Sequence, residues 1–201
     1  LDEQRKYEEA FEAYDNATKI DPTNILFWNS VGYILGTELS RFNESINAYK
    51  NALEIDPSNG VSLKGKAKVL DAMGQHDEAI RAYNEALKHY NKVLDERPTS
   101  TRDLLIKAEI LQILGKYNES LDICNDVLDI DPGRYSALIA KGKALDALGQ
   151  HEDAIIAYND SLKDFDLIEE TRLKRVGPLI IKGDVLRALG RYEEALQTYD
   201  E

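Results

Sequence analysis

The sequence predicts an all-α solenoid of tandem helix-turn-helix hairpins. Three observations carry that prediction. An eight-residue segment recurs six times, a second amphipathic stretch ending in glycine precedes most copies, and an Ile-Asp-Pro stop follows several of them. The recurring segment runs Tyr7 to Tyr14, Phe42 to Tyr49, His76 to Tyr83, Tyr117 to Cys124, His151 to Tyr158 and Tyr192 to Tyr199, with starts separated by 35, 34, 41, 34 and 41 residues. A fixed period of this length is the signature of a stacked repeat.

Within each copy the small residue, the aromatic four later and the residue three beyond it share one stripe of a helix, as with Ala10, Tyr14 and Ala17. The preceding stretch is a second amphipathic helix, as in Leu63, Ala67 and Leu70, closed by Gly74 where a left-handed helix end favours glycine. Pro22, Pro57 and Pro132 end one hairpin before the next begins, because proline cannot continue a helix and biases the residue before it away from the helical region.

At these residues the chain resembles the tetratricopeptide repeat family, whose unit is about 34 residues with Trp, Leu-Gly, Tyr, Ala, Phe and Pro at set offsets. Trp28, Val31-Gly32, Leu35, Ser45, Tyr49, Ala52 and Pro57 fill those places in one repeat. Leu138, Lys141-Gly142, Leu145, Ala154, Tyr158 and Ser161 fill them in another. The resemblance implies a right-handed superhelix over residues 1–201. It divides into a partial repeat at 1–22, complete repeats at 23–57, 58–98, 99–132 and 133–175, and a partial repeat at 176–201.

Two features depart from the family pattern. Lys66, Lys107, Lys141 and Lys182 stand before the small position, where a lysine lays its stem on the core and its ammonium in water. The spacings of 41 lengthen the second helix by seven residues, close to two turns, so its apolar face is not rotated. The extensions are expected over 86–95 and 161–174, in the repeats at 58–98 and 133–175. The hairpins also pair into a larger block: 16 of the 28 residues from Val61 to Lys88 recur identically 75 residues later, which points to duplication of a two-hairpin unit. The chain opens late in a first helix and stops within a second one, which predicts a piece of a longer array, since solenoid ends need polar caps.

Composition narrows the function. Hydrophobic residues are 43% and charged residues 31% of the chain, and no apolar run reaches the roughly 18 residues of a membrane span. A net charge of −12 repels phosphate backbones and argues against a nucleic-acid partner. The single cysteine, Cys124, fits a reducing compartment and points to the cytoplasm. Cys124 replaces a repeat tyrosine and is expected to be buried, with no base to activate it. His76 and His151 take the place of Tyr or Phe in other copies and are expected to pack. Ile155 stands where a zinc helix would need its second histidine, and His89 has no partner of suitable spacing. Gly32, Gly142 and Gly183 lie inside helices and form no phosphate loop. Four Asn-x-Ser/Thr triplets, beginning at Asn16, Asn43, Asn118 and Asn159, fall on helices among interchangeable repeat letters. No catalytic, metal or cofactor site is expected.

The expected function is a protein- or peptide-binding scaffold; the alternative is a structural spacer or a module that self-associates end to end. The family resemblance assigns the binding groove to the first-helix residues one place beyond the core stripe. These are Asn29, Tyr33 and Gly36; Lys64, Lys68 and Asp71; Leu105, Glu109 and Gln112; Ile139, Lys143 and Asp146; and Ile180, Asp184 and Arg187. The family's carboxylate clamp is not expected, because Lys68 stands where the clamp has Asn, and Ile106 and Ala140 occupy other gripping places.

Overall fold

A computed structural model describes the backbone of residues 2–171 and 176–200 and the side chains of residues 4–162 and 182–199. Eleven α-helices account for the described secondary structure, with one π-helical turn, and no strand occurs among the described residues. The chain divides into two compact units, Leu1–Glu96 and Arg97–Glu201.

The first unit opens with α1 (Asp2–Ile20), followed by α2 (Ile25–Tyr33), which continues into a π-helical turn over Ile34–Glu38. Then come α3 (Phe42–Ile55), α4 (Gly60–Ala72) and α5 (His76–Glu96). Neighbours in sequence pack as neighbours in space, and α2 also touches α4, so first helices lie beside first helices. Val31, Leu35 and Ala48 form a core cluster on which Phe11, Trp28 and Leu39 rest. Arg41 holds α1 to this hairpin: its guanidinium lies 4.7 Å from the centre of the Phe11 ring, 3.4 Å from Glu8 and 2.5 Å from Glu44.

Local chemistry explains where these helices start and stop. Asn24 and Asn59 cap α2 and α4, accepting the backbone N–H groups of Leu26 and Ser62 at 3.1 Å each. Trp28 Nε1 donates to the Pro22 carbonyl at 2.9 Å, fastening the Ile-Asp-Pro stop to the helix after it. At the hairpin turns Gly74, Gly115, Gly149 and Gly190 have φ between +73° and +77°. At the first of them Gln75 N–H donates to Leu70 O at 2.9 Å, the longer bond of a Schellman ending.

The hairpin of α2 and α3 carries one more residue between its core leucine and its turn than the next hairpin does. Arg41 N–H reaches back to Leu35 O, six residues, where Gln75 N–H reaches five. The π-turn absorbs that extra residue, as a single insertion into an α-helix commonly does. Ser40, at φ +54°, then takes the left-handed place that glycine holds elsewhere.

The second unit repeats the plan with α6 (Thr101–Ile113), α7 (Tyr117–Ile130), α8 (Tyr135–Ala147), α9 (His151–Thr171), α10 (Val176–Ala188) and α11 (Tyr192–Asp200). Leu145, Ala157, Tyr158, Leu162, Val185 and Leu186 are buried together at its core. The extended second helices are present: α5 and α9 each span 21 residues, against 14 for α3 and α7. Tyr90 and Leu94 bury the extension of α5. Residues 172–174, expected to prolong α9, lie outside the described residues.

Tyr14 and Tyr199 are exposed, whereas three tyrosines at the same motif place take core places, Tyr49, Tyr83 at 2% and Tyr158 at 5% exposure. Helical glycines make room for them. A Cβ on Gly32 would stand 2.8 Å from the Tyr49 ring, and one on Gly142 would stand 2.5 Å from Tyr158. Burial pushes the Tyr49 and Tyr158 phenols up to about 12, because a phenolate there would lose its hydration.

Candidate binding surface

The expected groove residues fall into three groups once packing is known. In the first unit Tyr33 is 54% exposed, Lys68 is exposed and Lys64 is half-buried. In the second unit Leu105 and Glu109 are half-buried on α6 and Lys143 is exposed on α8. Tyr33, Lys68 and Lys143 thus face solvent, and Lys64, Leu105 and Glu109 do so in part. Desolvation and a hydrogen bond to Glu38, the last residue of the π-turn, raise the Tyr33 phenol above its usual value.

A second group ties helices together. Ser62 Oγ donates to Asn29 Oδ1 at 2.7 Å, linking α2 to α4. Gln112 Nε2 donates to the Ala140 carbonyl at 2.7 Å and to Ser120 Oγ at 3.0 Å, linking α6 to α8 and α7. Ile139 packs against the core cluster of its unit. A Cβ on Gly36 would stand 2.7 Å from both Ser45 Oγ and Val69 Cγ2, so that position serves close packing.

The third group forms contacts within one hairpin. Asp71 pairs with His76 Nδ1 at 2.7 Å and Asp146 with His151 Nδ1 at 2.5 Å. Asp184 accepts from Tyr199 Oη at 2.8 Å and from Arg187 Nη2 at 3.3 Å. Ile180 lies outside the described side chains. The packing expected of His76 and His151 does not occur: both side chains are 70% exposed. They open their helices at a turn, where the ring reaches across to a carboxylate of the preceding helix instead of inward.

Leu26 and Val61 were absent from the expected surface. They are 71% and 51% exposed and, with Asn24, Asn29 and Asn59, line an open cleft of about 510 Å³. Each sits one turn before a named groove residue, three positions ahead of Asn29 and Lys64. Carrying the same spacing one step back along the helix would have found them.

The buried Cys124 thiol is pushed up to about 11 by desolvation, which leaves it protonated and a poor nucleophile near neutral pH. Among the described residues no group of three or more His, Cys, Asp or Glu could hold a metal, and no helix is long and apolar enough to cross a membrane.

Two family models of the tetratricopeptide repeat match the chain, one over residues 37–92 and the other over 1–24 and 135–163, together more than half of its length. The chain belongs to the tetratricopeptide repeat family. Its repeats are those of a protein-interaction scaffold, a class not defined by any reaction. No curated protein matches the sequence significantly. Among solved structures the chain is similar to PilW, a widely conserved type IV pilus biogenesis factor, at 18% identity and TM-score 0.62, covering 96% of this chain and 83% of that one. It is similar to a thermophilic repeat protein of Thermus thermophilus at 17% identity and TM-score 0.57, covering 88% and 89%. It is also similar to YrrB, a repeat protein with an unusual peptide-binding site, at 15% identity and TM-score 0.52, covering 95% and 91%. These likenesses establish the shared hairpin fold.

Proposed function

We propose that the chain holds an extended peptide, or a peptide-like segment of a protein, along the first helices of its hairpins. The observation that carries this is the accessible stripe of Tyr33, Lys64 and Lys68 in the first unit and of Leu105, Glu109 and Lys143 in the second. Neighbouring positions on the same helices are buried. Apolar and cationic groups side by side suit a ligand that carries acidic and apolar side chains. The net charge of −12 does not oppose this, because charges farther than about 8 Å away are largely screened at physiological salt while the local lysines act at contact. The peptide-binding site named for YrrB adds support at the level of the shared fold.

The test is a titration of labelled acidic-apolar peptides against charge-reversal variants. Lys64→Glu, Lys68→Glu and Lys143→Glu together are expected to weaken binding at least about tenfold, or about 1.4 kcal/mol. Lys88→Glu and Lys92→Glu, on α5, are expected to leave affinity nearly unchanged. The reverse outcome would place the site on the second helices.

One observation favours a second reading, end-to-end association of two copies. Tyr192, Leu196 and Tyr199 lie at spacings of four and three on α11 and are all exposed. Sedimentation at increasing concentration is expected to show a dimer that Leu196→Glu disperses. A chain that stays monomeric throughout would remove this second reading and leave the first intact.

A further inference from the structure

The two-hairpin duplication allows one surface to be read against its own internal copy. In the second unit a groove of about 340 Å³ opens among α7, α8 and α9. Leu121, Leu138 and Leu145 form its apolar base, with Lys141 beside them. Asn125, Asp153, Ile156 and Asp160 line the rest, and Ile156 is 59% exposed.

The positions 75 residues earlier, on α3, α4 and α5, keep the base but change the rim. Ile46, Leu63 and Leu70 correspond to the three leucines, and Lys66 corresponds to Lys141. On the rim Lys50 becomes Asn125, Arg81 becomes Ile156, Glu78 becomes Asp153 and Glu85 becomes Asp160. Each of these four changes shortens the side chain, and two of them remove a cation. Burial also differs at two of the three base positions, while Leu70 and Leu145 are both 4% exposed. Leu63 is 3% exposed and Ile46 is buried, whereas Leu138 and Leu121 are only half-buried. The formal charge of the set moves from +1, with Lys50, Lys66 and Arg81 against Glu78 and Glu85, to −1, with Lys141 against Asp153 and Asp160.

We infer that this groove is a second docking site, separate from the first-helix stripe, for an apolar side chain flanked by Lys or Arg in a partner peptide. The apolar side chain covers the half-buried leucines and Ile156. The flanking cations meet Asp153 and Asp160 where Arg81 and Lys50 stand in the internal copy. The volume lies near the lower end of ligand-site sizes, roughly 300 Å³, which suits one or two side chains rather than a large cofactor. Its charge preference is opposite to that of the first-helix stripe, which distinguishes the two proposed sites.

The test uses the whole chain with methyl-labelled Ile and Leu, titrated by NMR with two blocked peptides. One carries a leucine between lysines and the other the same leucine between glutamates. The basic peptide is expected to move the methyl signals of Ile156, Leu121 and Leu138 progressively, and the acidic twin to act at least about tenfold more weakly. Asn125→Lys with Ile156→Arg restores the residues of the internal copy and is expected to cost at least about tenfold in affinity. The fold tolerates these residues at the corresponding places of the first unit, and an unchanged melting temperature checks that it does so here. The converse pair, Lys50→Asn with Arg81→Ile, is expected to make the Ile46 and Leu63 methyls responsive to the basic peptide. Silent Ile156 methyls at about 1 mM peptide, equal response to both peptides, or full binding by the restored variant would each overturn the proposal.

Discussion

At the scale of single residues, the buried motif tyrosines Tyr49, Tyr83 and Tyr158 place a large ring in the core. Tyr83 and Tyr158 are buried between helices, so Tyr83→Ala and Tyr158→Ala are each expected to cost about 3–5 kcal/mol, as large aromatic deletions do. Urea melts check this, and a loss below about 0.5 kcal/mol in both variants would contradict their core role. The raised phenols of Tyr49 and Tyr158 carry a pH consequence. Below about pH 10 folded and unfolded chains both hold these protons; above it the unfolded chain releases them while the folded chain holds them up to about 12. The unfolded state then binds fewer protons, so stability falls as pH rises through that window. Denaturant midpoints measured between pH 9 and 12 are expected to drop, with less of a drop in Tyr49→Phe. Much of this was legible in the sequence, because every copy keeps an aromatic or Cys at one offset. The exposure of His76 and His151 was not, since a place shared with Tyr and Phe does not reveal that a polar ring at a helix start can swing out to a carboxylate.

At the scale of elements, the long second helices and the π-turn are separate departures from the repeat. Leu94 is buried on the extension of α5, so Leu94→Ala is expected to lose about 2–5 kcal/mol, while the exposed Lys92→Ala stays within about 0.5 kcal/mol. Similar small losses for both would show that the extension packs against nothing. The extra seven residues were readable as helix because they kept the apolar stripe in phase. The π-turn was only half readable: a spacing of 35 in place of 34 reveals one added residue but not where the backbone takes it up. The turn that follows gives a test. Ser40 sits at φ +54°, where a Cβ is unfavourable, so Ser40→Gly is expected to stabilise the chain by about 0.5–1 kcal/mol. A lower urea midpoint for that variant would mean the serine side chain contributes more than its backbone strain costs.

At the scale of the whole molecule, each unit stacks hairpins so that most contacts link neighbours, the arrangement that makes solenoids quasi-one-dimensional. On the proposed reading a peptide contacts neighbouring side chains of one unit, so Lys64→Glu and Lys68→Glu are expected to weaken it more together than either does alone. Raising salt should weaken an acidic peptide on the unaltered chain and matter little to the reversed one. Fold class, repeat family and the two lengthened helices followed from the sequence alone, because helical periodicity and a fixed repeat length encode them locally. Tertiary structure decided how far each stripe residue is exposed. Asn29 and Gln112 are spent on hydrogen bonds to the next hairpin, Gly36 on close packing, and Asp71 and Asp146 on histidines across a turn. It also showed that Leu121 and Leu138 are half-buried where Ile46 and Leu63 of the internal copy are buried. A helix face can be read from one chain segment, but whether its side chains reach solvent or a neighbour depends on what folding brings beside them: residues some 30 positions away for Asn29 and Gln112, and a ring only five residues on, across a turn, for Asp71 and Asp146.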